Sequence, residues 1–432
     1  TYNHLGDYDK AFGFLQEAYD SLKRPGNPVD SWMYYKMLLG GSYQRKGDYR
    51  KAIAIYQECV DTFRNTDNRS YLAESYGRLA LCYMEIGLDE EMMSFATKHY
   101  KLYEEIHGDR GHIEQMNACI TVAECLMAAE QPEKASTYIS KALSIVPYNP
   151  DSVSLTYLDV LFRKGKLFQS LRHYDSAMYI FDFVEEKRKQ LLGQENDLVG
   201  LVIMERARLE SDMTDYHAAI AHGREAISIL QKSRSPLHPL VKECYYILVK
   251  ATFEGLGKRP EAVRIIDTLL HGEIEKHDFL FSINKSSLNL IGLKAEMLRV
   301  PASSRDTSAL LASLAAYQQL SDAYQIFLNH TLYQGSNFLT GTSYVKTIKD
   351  GCMPAARMYM LTGDRNYLQQ ALDFSEQSRT GSIRLALQNY QASRFANVPG
   401  SVISAEEQLR IDCAQYEKLL MGAASRGIPA SE

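Results

Sequence analysis

Residues 31–63 repeat apolar positions with the period of an α-helix, twice in succession. In the first half, Met37, Gly40 and Gly41 fall on one face of the predicted helix. The sequence Lys46-Gly47-Asp48-Tyr49 then interrupts the pattern with a helix stop, a cap and an aromatic residue. The second half resumes the pattern with Ala52, Ile53, Ile55, Tyr56, Cys59 and Val60. The pattern predicts two helices that are joined by a tight turn and approach each other closely at small residues.

The same turn and second helix recur about every 42 residues. Equivalent turns begin at Gly6, Gly47, Gly87, Glu130, Arg172, Thr214 and Gly257. Loops rich in Pro, Gly and polar residues, such as 25–28 and 235–239, separate one hairpin from the next. The period predicts a repeat array of about seven hairpins over residues 1–270, the first of them truncated.

These hairpins resemble the tetratricopeptide repeat (TPR). The matching features are a small residue at Gly40, aromatics at Tyr43 and Tyr56, the turn after Gly47, and Ala52 on the second helix. Gly47 would supply the left-handed backbone that ends the first helix, and Ala52 would let the two helices pack. Tyr56 would fill the space between neighbouring hairpins. The resemblance implies an all-α fold: a right-handed superhelical α-solenoid of TPR-like helical hairpins, each packed on its neighbours.

Beyond the array the period weakens. Residues 271–380 are expected to form degenerate helical hairpins, and 381–432 a terminal helical linker. The stretch 371–420 resembles the segment that joins TPR arrays to a CHAT domain, a caspase-like cysteine peptidase. The matching pieces are Ser375–Arg379, Val398–Ser401, Glu406–Arg410 and Tyr416–Leu420. The resemblance implies a bacterial protein whose catalytic His and Cys would lie beyond Glu432. Because the chain begins part-way through a repeat, we interpret it as an excised fragment.

Composition narrows the classes of partner. The 432 residues carry a net charge of −5 and 45% hydrophobic residues, so a nucleic-acid partner is not expected. No apolar run is long enough to span a membrane, and no signal peptide is visible, which predicts a cytoplasmic location. The seven cysteines contain no C-x-x-C pair and are expected to be reduced thiols in the core.

The sequence offers little sign of catalysis or of a cofactor. Residues 255–258 have the glycines but not the spacing of a phosphate loop. His217 and His222 are five residues apart, which misses the spacing of a helical metal pair. His107 and His112 flank glycines, and no nearby acidic residue or cysteine completes a convincing ligand set. We therefore expect no catalytic residue, no metal site, no cofactor and no enzyme activity in this chain.

The remaining expected function is the binding of a partner molecule. In a TPR superhelix, fixed positions of each first helix line the concave face. In this sequence those positions include polar residues with scattered apolar anchors, which suit a protein or peptide segment. The predicted partner-binding residues are Tyr34, Arg45, Asn117, Glu124, Asp159, Phe162, Lys166, Gln169, Met204, Arg208 and Asp212. Phe162 and Arg208 are predicted to be exposed and to carry much of the binding energy.

Two functional hypotheses follow. The first is a non-catalytic scaffold that recognises a protein or peptide and regulates an attached CHAT peptidase beyond this chain. The second is a stand-alone peptide-sensing or assembly regulator with no peptidase. The sequence that follows Glu432 would distinguish them.

Overall fold

The computed structural model describes residues 8–46, 48–86, 89–108, 111–146, 148–149, 153–234, 236, 238–274, 285–301, 303–332 and 342–379. Over these ranges all regular structure is helical, and none of it is β-strand. The predicted terminal linker, 381–432, lies outside the described residues. Among the described helices, none combines the length and the apolar character that crossing a membrane would require.

The helices follow one another in pairs. The hairpin helices are α1 (Tyr8–Leu22), α2 (Val29–Lys46), α3 (Tyr49–Phe63), α4 (Arg69–Ile86), α5 (Asp89–His107), α6 (Ile113–Ala128), α7 (Pro132–Ile145), α8 (Leu155–Ser170), α9 (Tyr174–Leu192), α10 (Asp197–Asp212), α11 (Tyr216–Leu230), α12 (Pro239–Leu256) and α13 (Arg259–Ile274). After them come α14 (Lys285–Met297), α15 (Thr307–Leu332), α16 (Thr342–Asp350), α17 (Cys352–Thr362) and α18 (365–379).

The chain is an all-α repeat solenoid. Each even-numbered helix from α2 to α12 is the first helix of a hairpin, and the odd-numbered helix after it is the second. Besides packing on its own second helix, each first helix contacts the first helix of the next hairpin, in the order α2, α4, α6, α8, α10 and α12. The first helices therefore form one continuous layer.

Small residues set the distance within each hairpin. The fifth residue after each turn position is fully buried at Ala52, Ala135, Ala177, Ala219 and Ala262, and a methionine, Met92, takes that place in the third hairpin. On the first helix, glycines admit large side chains: a Cβ added to Gly40 would lie 2.9 Å from the Tyr56 ring. Tyr56, expected between hairpins, thus packs first within its own hairpin.

The described turns use left-handed backbone, as the resemblance implied. Among them, only the last has a glycine at the left-handed position. Glu130, Arg172, Thr214 and Gly257 have φ of 57°, 59°, 65° and 63°. Gly47 lies outside the described residues. After two of the turns a side chain caps the second helix: Asp48 accepts a hydrogen bond from the Lys51 N–H at 3.1 Å, and Asp215 accepts one from the Ala218 N–H at 3.2 Å. The hairpin turn is therefore retained even where its preferred residue is missing.

Thr214→Gly should stabilise the protein. A β-branched residue is strained in left-handed backbone, by about 1–2 kcal/mol, and glycine is not. Because glycine also loses more entropy on folding, we expect a net gain of about 0.5–1 kcal/mol in the free energy of unfolding, measured by urea denaturation. Gly257→Ala is the reciprocal control: no atom would lie within 4 Å of the added Cβ, so a loss there reports backbone strain alone. A stability loss for Thr214→Gly would contradict the strained turn.

The cysteines lie where the sequence predicted them. Cys59, Cys82, Cys119, Cys125 and Cys244 are buried, and Cys352 is half-buried. Burial raises the pKa of Cys59 to about 12, so this thiol stays protonated and unreactive near neutral pH. The seventh, Cys413, lies outside the described residues.

A strip of charged residues on the first helices

Charged side chains cross the layer of first helices from α6 to α12. We define the first-helix strip as Glu124 on α6, Asp159, Arg163 and Lys166 on α8, Glu205 and Arg208 on α10, and Glu243 on α12. Because consecutive first helices contact one another, a side chain on one of them reaches its counterpart on the next. The strip is therefore a product of the repeat and spans four hairpins.

Ion pairs join the strip at its α6–α8 end. Arg163 Nε lies 3.2 Å from Glu124 Oε1, and Arg163 Nη1 lies 3.3 Å from Asp159 Oδ1, one helical turn earlier on α8. A second cation, Arg188 of α9, also pairs with Asp159 and is almost fully buried. Its Nη2 lies 2.7 Å from Asp159 Oδ1, and its Nη1 donates to the Leu198 carbonyl at 2.9 Å. Asp159 therefore has two cationic partners.

The α8–α10–α12 part is organised around Glu205. Its carboxylate lies 3.6 Å from Lys166 Nζ and 3.4 Å from Arg208 Nε. Arg208 also donates from Nη2 to Glu243 Oε1 at 3.0 Å. Burial alone would raise the pKa of Glu205, but Arg208 and Lys166 lower it below its ordinary value. Glu205 is therefore ionised at neutral pH.

One side of the strip is buried in the protein, and the other side is exposed to solvent. The Glu205 side chain is 4% exposed, whereas Lys166 and Arg208 are each 34% exposed. Burial lowers the pKa of Arg208, but Glu205 and Glu243 outweigh it, and the pKa is raised. Lys166 and Arg208 thus contact the buried Glu205 carboxylate while part of each cationic side chain faces solvent.

Two guanidinium groups of the strip contact a carboxylate through Nε without an aligned hydrogen bond. Arg163 Nε and Arg208 Nε lie 3.2 Å and 3.4 Å from Glu124 and Glu205, but neither has an acceptor in hydrogen-bonding geometry among the described residues. Because both Nε atoms are buried, a bound molecule would contact the exposed part of these side chains and not Nε itself.

Residues 30–109 match a tetratricopeptide repeat family model. The match runs from α2 through α5, and it includes the hairpin in which Gly40, the turn at Gly47 and Ala52 were recognised. A TPR array is therefore supported by the family match as well as by the fold.

Among solved structures similar to this chain, a Rap protein supports the same architecture. A Rap protein complexed with competence and sporulation factor is similar over 70% of this chain and 78% of its own, with 14% identity and a TM-score of 0.52. The apo form of RapI matches over 69% of this chain and 99% of its own (14% identity, TM-score 0.46), and a human IFIT1 dimer with m7Gppp-AAAA over 89% and 80% (15% identity, TM-score 0.46). No curated protein matches this chain. At these identities the likeness concerns the fold.

The strip contains four of the residues predicted from the TPR register, namely Glu124, Asp159, Lys166 and Arg208. Next to it, Gln169 Nε2 donates to Asp212 Oδ2 at 2.8 Å and joins α8 to α10. The three other predicted polar residues lie on first helices but outside the strip. Asn117 is exposed on α6, Tyr34 stacks on Tyr71 with ring centroids 5.1 Å apart, and the Arg45 side chain lies outside the described residues.

The prediction that Phe162 and Met204 are exposed apolar anchors is wrong. Their side chains are only 6% and 3% exposed. Phe162 turns toward α9, where its ring centroid lies 6.0 Å from that of Phe181. Successive helical residues point about 100° apart, so Phe162 faces the hairpin interior while its neighbour Arg163 faces the strip. Neither apolar side chain offers a surface to a partner.

The register reasoning missed Arg163, Glu205 and Glu243. A signal was present for two of them: Arg163 and Glu205 both lie nine residues before their turn positions, Arg172 and Thr214. Likewise Glu124, Lys166 and Arg208 all lie six residues before theirs. Charged residues at two fixed distances from the turn, one helical turn apart, indicate facing rows on adjacent repeats.

Two other concave places accompany the strip. An aromatic groove of about 640 Å³ lies along α8 and α9, lined chiefly by Tyr148, Tyr157, Phe168, Tyr179 and Phe183. A smaller one of about 260 Å³ lies between α2 and α4, next to Tyr34 and Arg78. The larger groove is rich in aromatic side chains, and the smaller one combines tyrosines with Glu74, Arg78 and Glu114.

The expectation that no acidic residue accompanies His107 and His112 is also wrong. Glu114, in the first turn of α6, reaches both imidazoles. By contrast, His222 pairs with a single carboxylate, Glu210, at 2.8 Å, and this hydrogen bond raises the pKa of His222.

Proposed function

We propose that this chain is a non-catalytic protein-binding scaffold whose first-helix strip binds an extended polypeptide segment. The observation that carries the proposal is the strip itself: paired charges across four hairpins, in which the side chains of Lys166 and Arg208 are each 34% exposed to solvent. Backbone carbonyls and carboxylates of an extended segment can accept hydrogen bonds from these partly exposed cations. The array would present them with a row of sites spaced by the repeat.

The signs of the charges favour a polypeptide over a nucleic acid. The strip contains three cations, Arg163, Lys166 and Arg208, and four carboxylates, Glu124, Asp159, Glu205 and Glu243. A nucleic acid binds through uniformly negative phosphates, which the carboxylates would repel. A peptide with mixed charges can complement both signs. The net charge of −5 points the same way.

Arg208→Lys should weaken binding of such a segment about tenfold, or about 1–2 kcal/mol. The lysine keeps the positive charge beside Glu205 and Glu243 but removes the Nε donor and the planar fork. Peptides selected from a phage-displayed library against the full chain provide the ligand, and titration calorimetry gives the dissociation constant. Arg163→Lys tests the other guanidinium group of the strip in the same way.

Arg224→Lys is the matched control. Arg224 is exposed on α11, a second helix, so the same exchange there should leave the affinity at the wild-type value. If every selected peptide binds Arg208→Lys and Arg163→Lys as tightly as wild type, the strip is not the site. Loss of binding on Tyr179→Ala instead would assign it to the aromatic groove.

The finer proposal is regulation of an attached caspase-like (CHAT) peptidase, and it rests only on the sequence resemblance of 371–420. The alternative is a stand-alone peptide-sensing or assembly regulator. The reading frame beyond Glu432 separates them: a module with a His and a Cys on strand ends supports the first. We further propose a cytoplasmic location, and a division into the array 1–270, the degenerate hairpins 271–380 and the linker 381–432.

A further inference from the structure

Two histidines and a glutamate meet where the third hairpin passes into the fourth. His107 is the last residue of α5, His112 is the residue just before α6, and Glu114 lies in the first turn of α6. His107 Nε2 lies 2.7 Å and His112 Nδ1 2.9 Å from the same atom, Glu114 Oε2. The two imidazole rings are stacked, with centroids 4.2 Å apart and planes 3° from parallel. Three side chains thus bring their ligand atoms close together.

The donor atoms have the spacing of a metal site. One ligand atom from each residue lies within 4.8 Å of the other two. Zinc binds His nitrogen and carboxylate oxygen at about 2.0–2.2 Å, so two ligands in a tetrahedron stand about 3.4 Å apart. The nitrogen–oxygen distances here are shorter by about half an ångström. Because a metal lies in the plane of each imidazole that binds it, the two stacked rings must also rotate away from parallel to admit the ion.

Hydrogen bonds do not account for all the donor and acceptor atoms of the cluster. His107 Nε2 is buried, and no described atom lies in hydrogen-bonding geometry with it, although Glu114 is close. His112 occupies the N-cap position of α6, but its side chain makes no capping hydrogen bond. Both nitrogens are turned toward the carboxylate instead. A cation among the three would use the buried nitrogen.

The surroundings hold the ligands in place before any ion binds. Tyr103 stacks on the His107 ring, with centroids 5.8 Å apart. Gln115 donates from Nε2 to the Gly108 carbonyl at 2.9 Å and ties the start of α6 to the loop that follows α5. Such supporting contacts reduce the cost of ordering ligands and raise metal affinity.

We propose that His107, His112 and Glu114 bind a divalent late first-row transition-metal ion, with zinc as the first candidate. Imidazole nitrogens select zinc, nickel, copper and cobalt, whereas calcium and magnesium prefer oxygen ligands alone. His112 is about half exposed, so water completes the coordination. The ion would clip the end of α5 to the start of α6. This inference does not depend on the proposed function.

Zinc titration of the chelator-treated full chain tests the proposal. Titration calorimetry should show one saturable equivalent, and zinc should raise the Tm of the wild type by mass action. His107→Ala, His112→Ala and Glu114→Gln should each weaken the affinity about 10- to 100-fold and reduce the Tm shift. Glu114→Gln is nearly isosteric and His112 is exposed, so at least these two variants should fold, as circular dichroism will verify.

His217→Ala is the control, because His217 is an exposed histidine on α11 far along the sequence. It should bind zinc like the wild type. Undiminished one-equivalent binding by the His107→Ala/His112→Ala double variant would overturn the proposal, as would the absence of a saturable equivalent in the wild type. Equal loss in His217→Ala would also overturn it, since that result indicates unspecific histidine binding.

Discussion

Phe181→Ala should destabilise the protein by about 3–5 kcal/mol. Phe181 lies on α9 with its side chain 0% exposed, and it packs against Phe162 and the backbone of Gly165. Truncation removes a fully buried ring and leaves a cavity between α8 and α9 that the helices cannot close without moving apart from their neighbours. Urea denaturation followed by circular dichroism gives the change in unfolding free energy.

Tyr179→Ala is the matched control for this prediction. Tyr179 lies two residues earlier on the same helix and has 76% of its surface exposed, so its truncation should change stability by less than about 0.5 kcal/mol. Equal effects of the two substitutions would mean that α9 does not bury the face described here.

Gly165→Ala should cost about 2–3 kcal/mol, because the added methyl group overfills the same contact. The new Cβ would lie 2.6 Å from Phe181 Cε1 and 2.9 Å from Cδ1. The ring is fully buried and cannot turn into solvent, so the helices must separate. This cost exceeds the gain of about 1 kcal/mol that alanine ordinarily brings over glycine inside a helix.

The two substitutions should be strongly non-additive. In a Phe181→Ala background the methyl group enters the cavity, so Gly165→Ala should become neutral or stabilising, and the double-mutant cycle gives a coupling of about 2–3 kcal/mol. Gly223→Ala is the control, since its Cβ would meet only Leu248 at 3.8 Å and should stabilise α11. Additive effects at residues 165 and 181 would refute the direct contact.

Much of the fold is encoded locally. The turn positions from Glu130 to Gly257 and the alanines that follow them were identified from spacing alone, and the structure places each turn between two helices. This works because a helix stop, a cap and a small residue act within one or two helical turns of themselves. Each repeat of the sequence then forms the same hairpin through the same local interactions.

The candidate sites are encoded less directly. Glu124, Asp159, Lys166 and Arg208 could be predicted from the register of the repeat, but the burial of Phe162 and Met204 could not. Neighbouring residues on a helix point about 100° apart, so a one-residue shift in the packing of α8 on α9 decides which of them faces solvent. That packing depends on side chains about 20 residues away in the chain.

The sequence by itself therefore determined the helical hairpins and their turns, because these depend on residues close together in the chain. Only the tertiary structure decided which charges meet. Glu205 reaches Lys166 across 39 positions of sequence, and Arg208 reaches Glu243 across 35, because first helices pack side by side. Even the nearby residues His107, His112 and Glu114 converge only through the path of the connecting loop, where Gly111 adopts a φ of 66°. The period of the sequence indicates which face of a helix a residue occupies. The partners of its side chain depend on how the faces of different helices pack together.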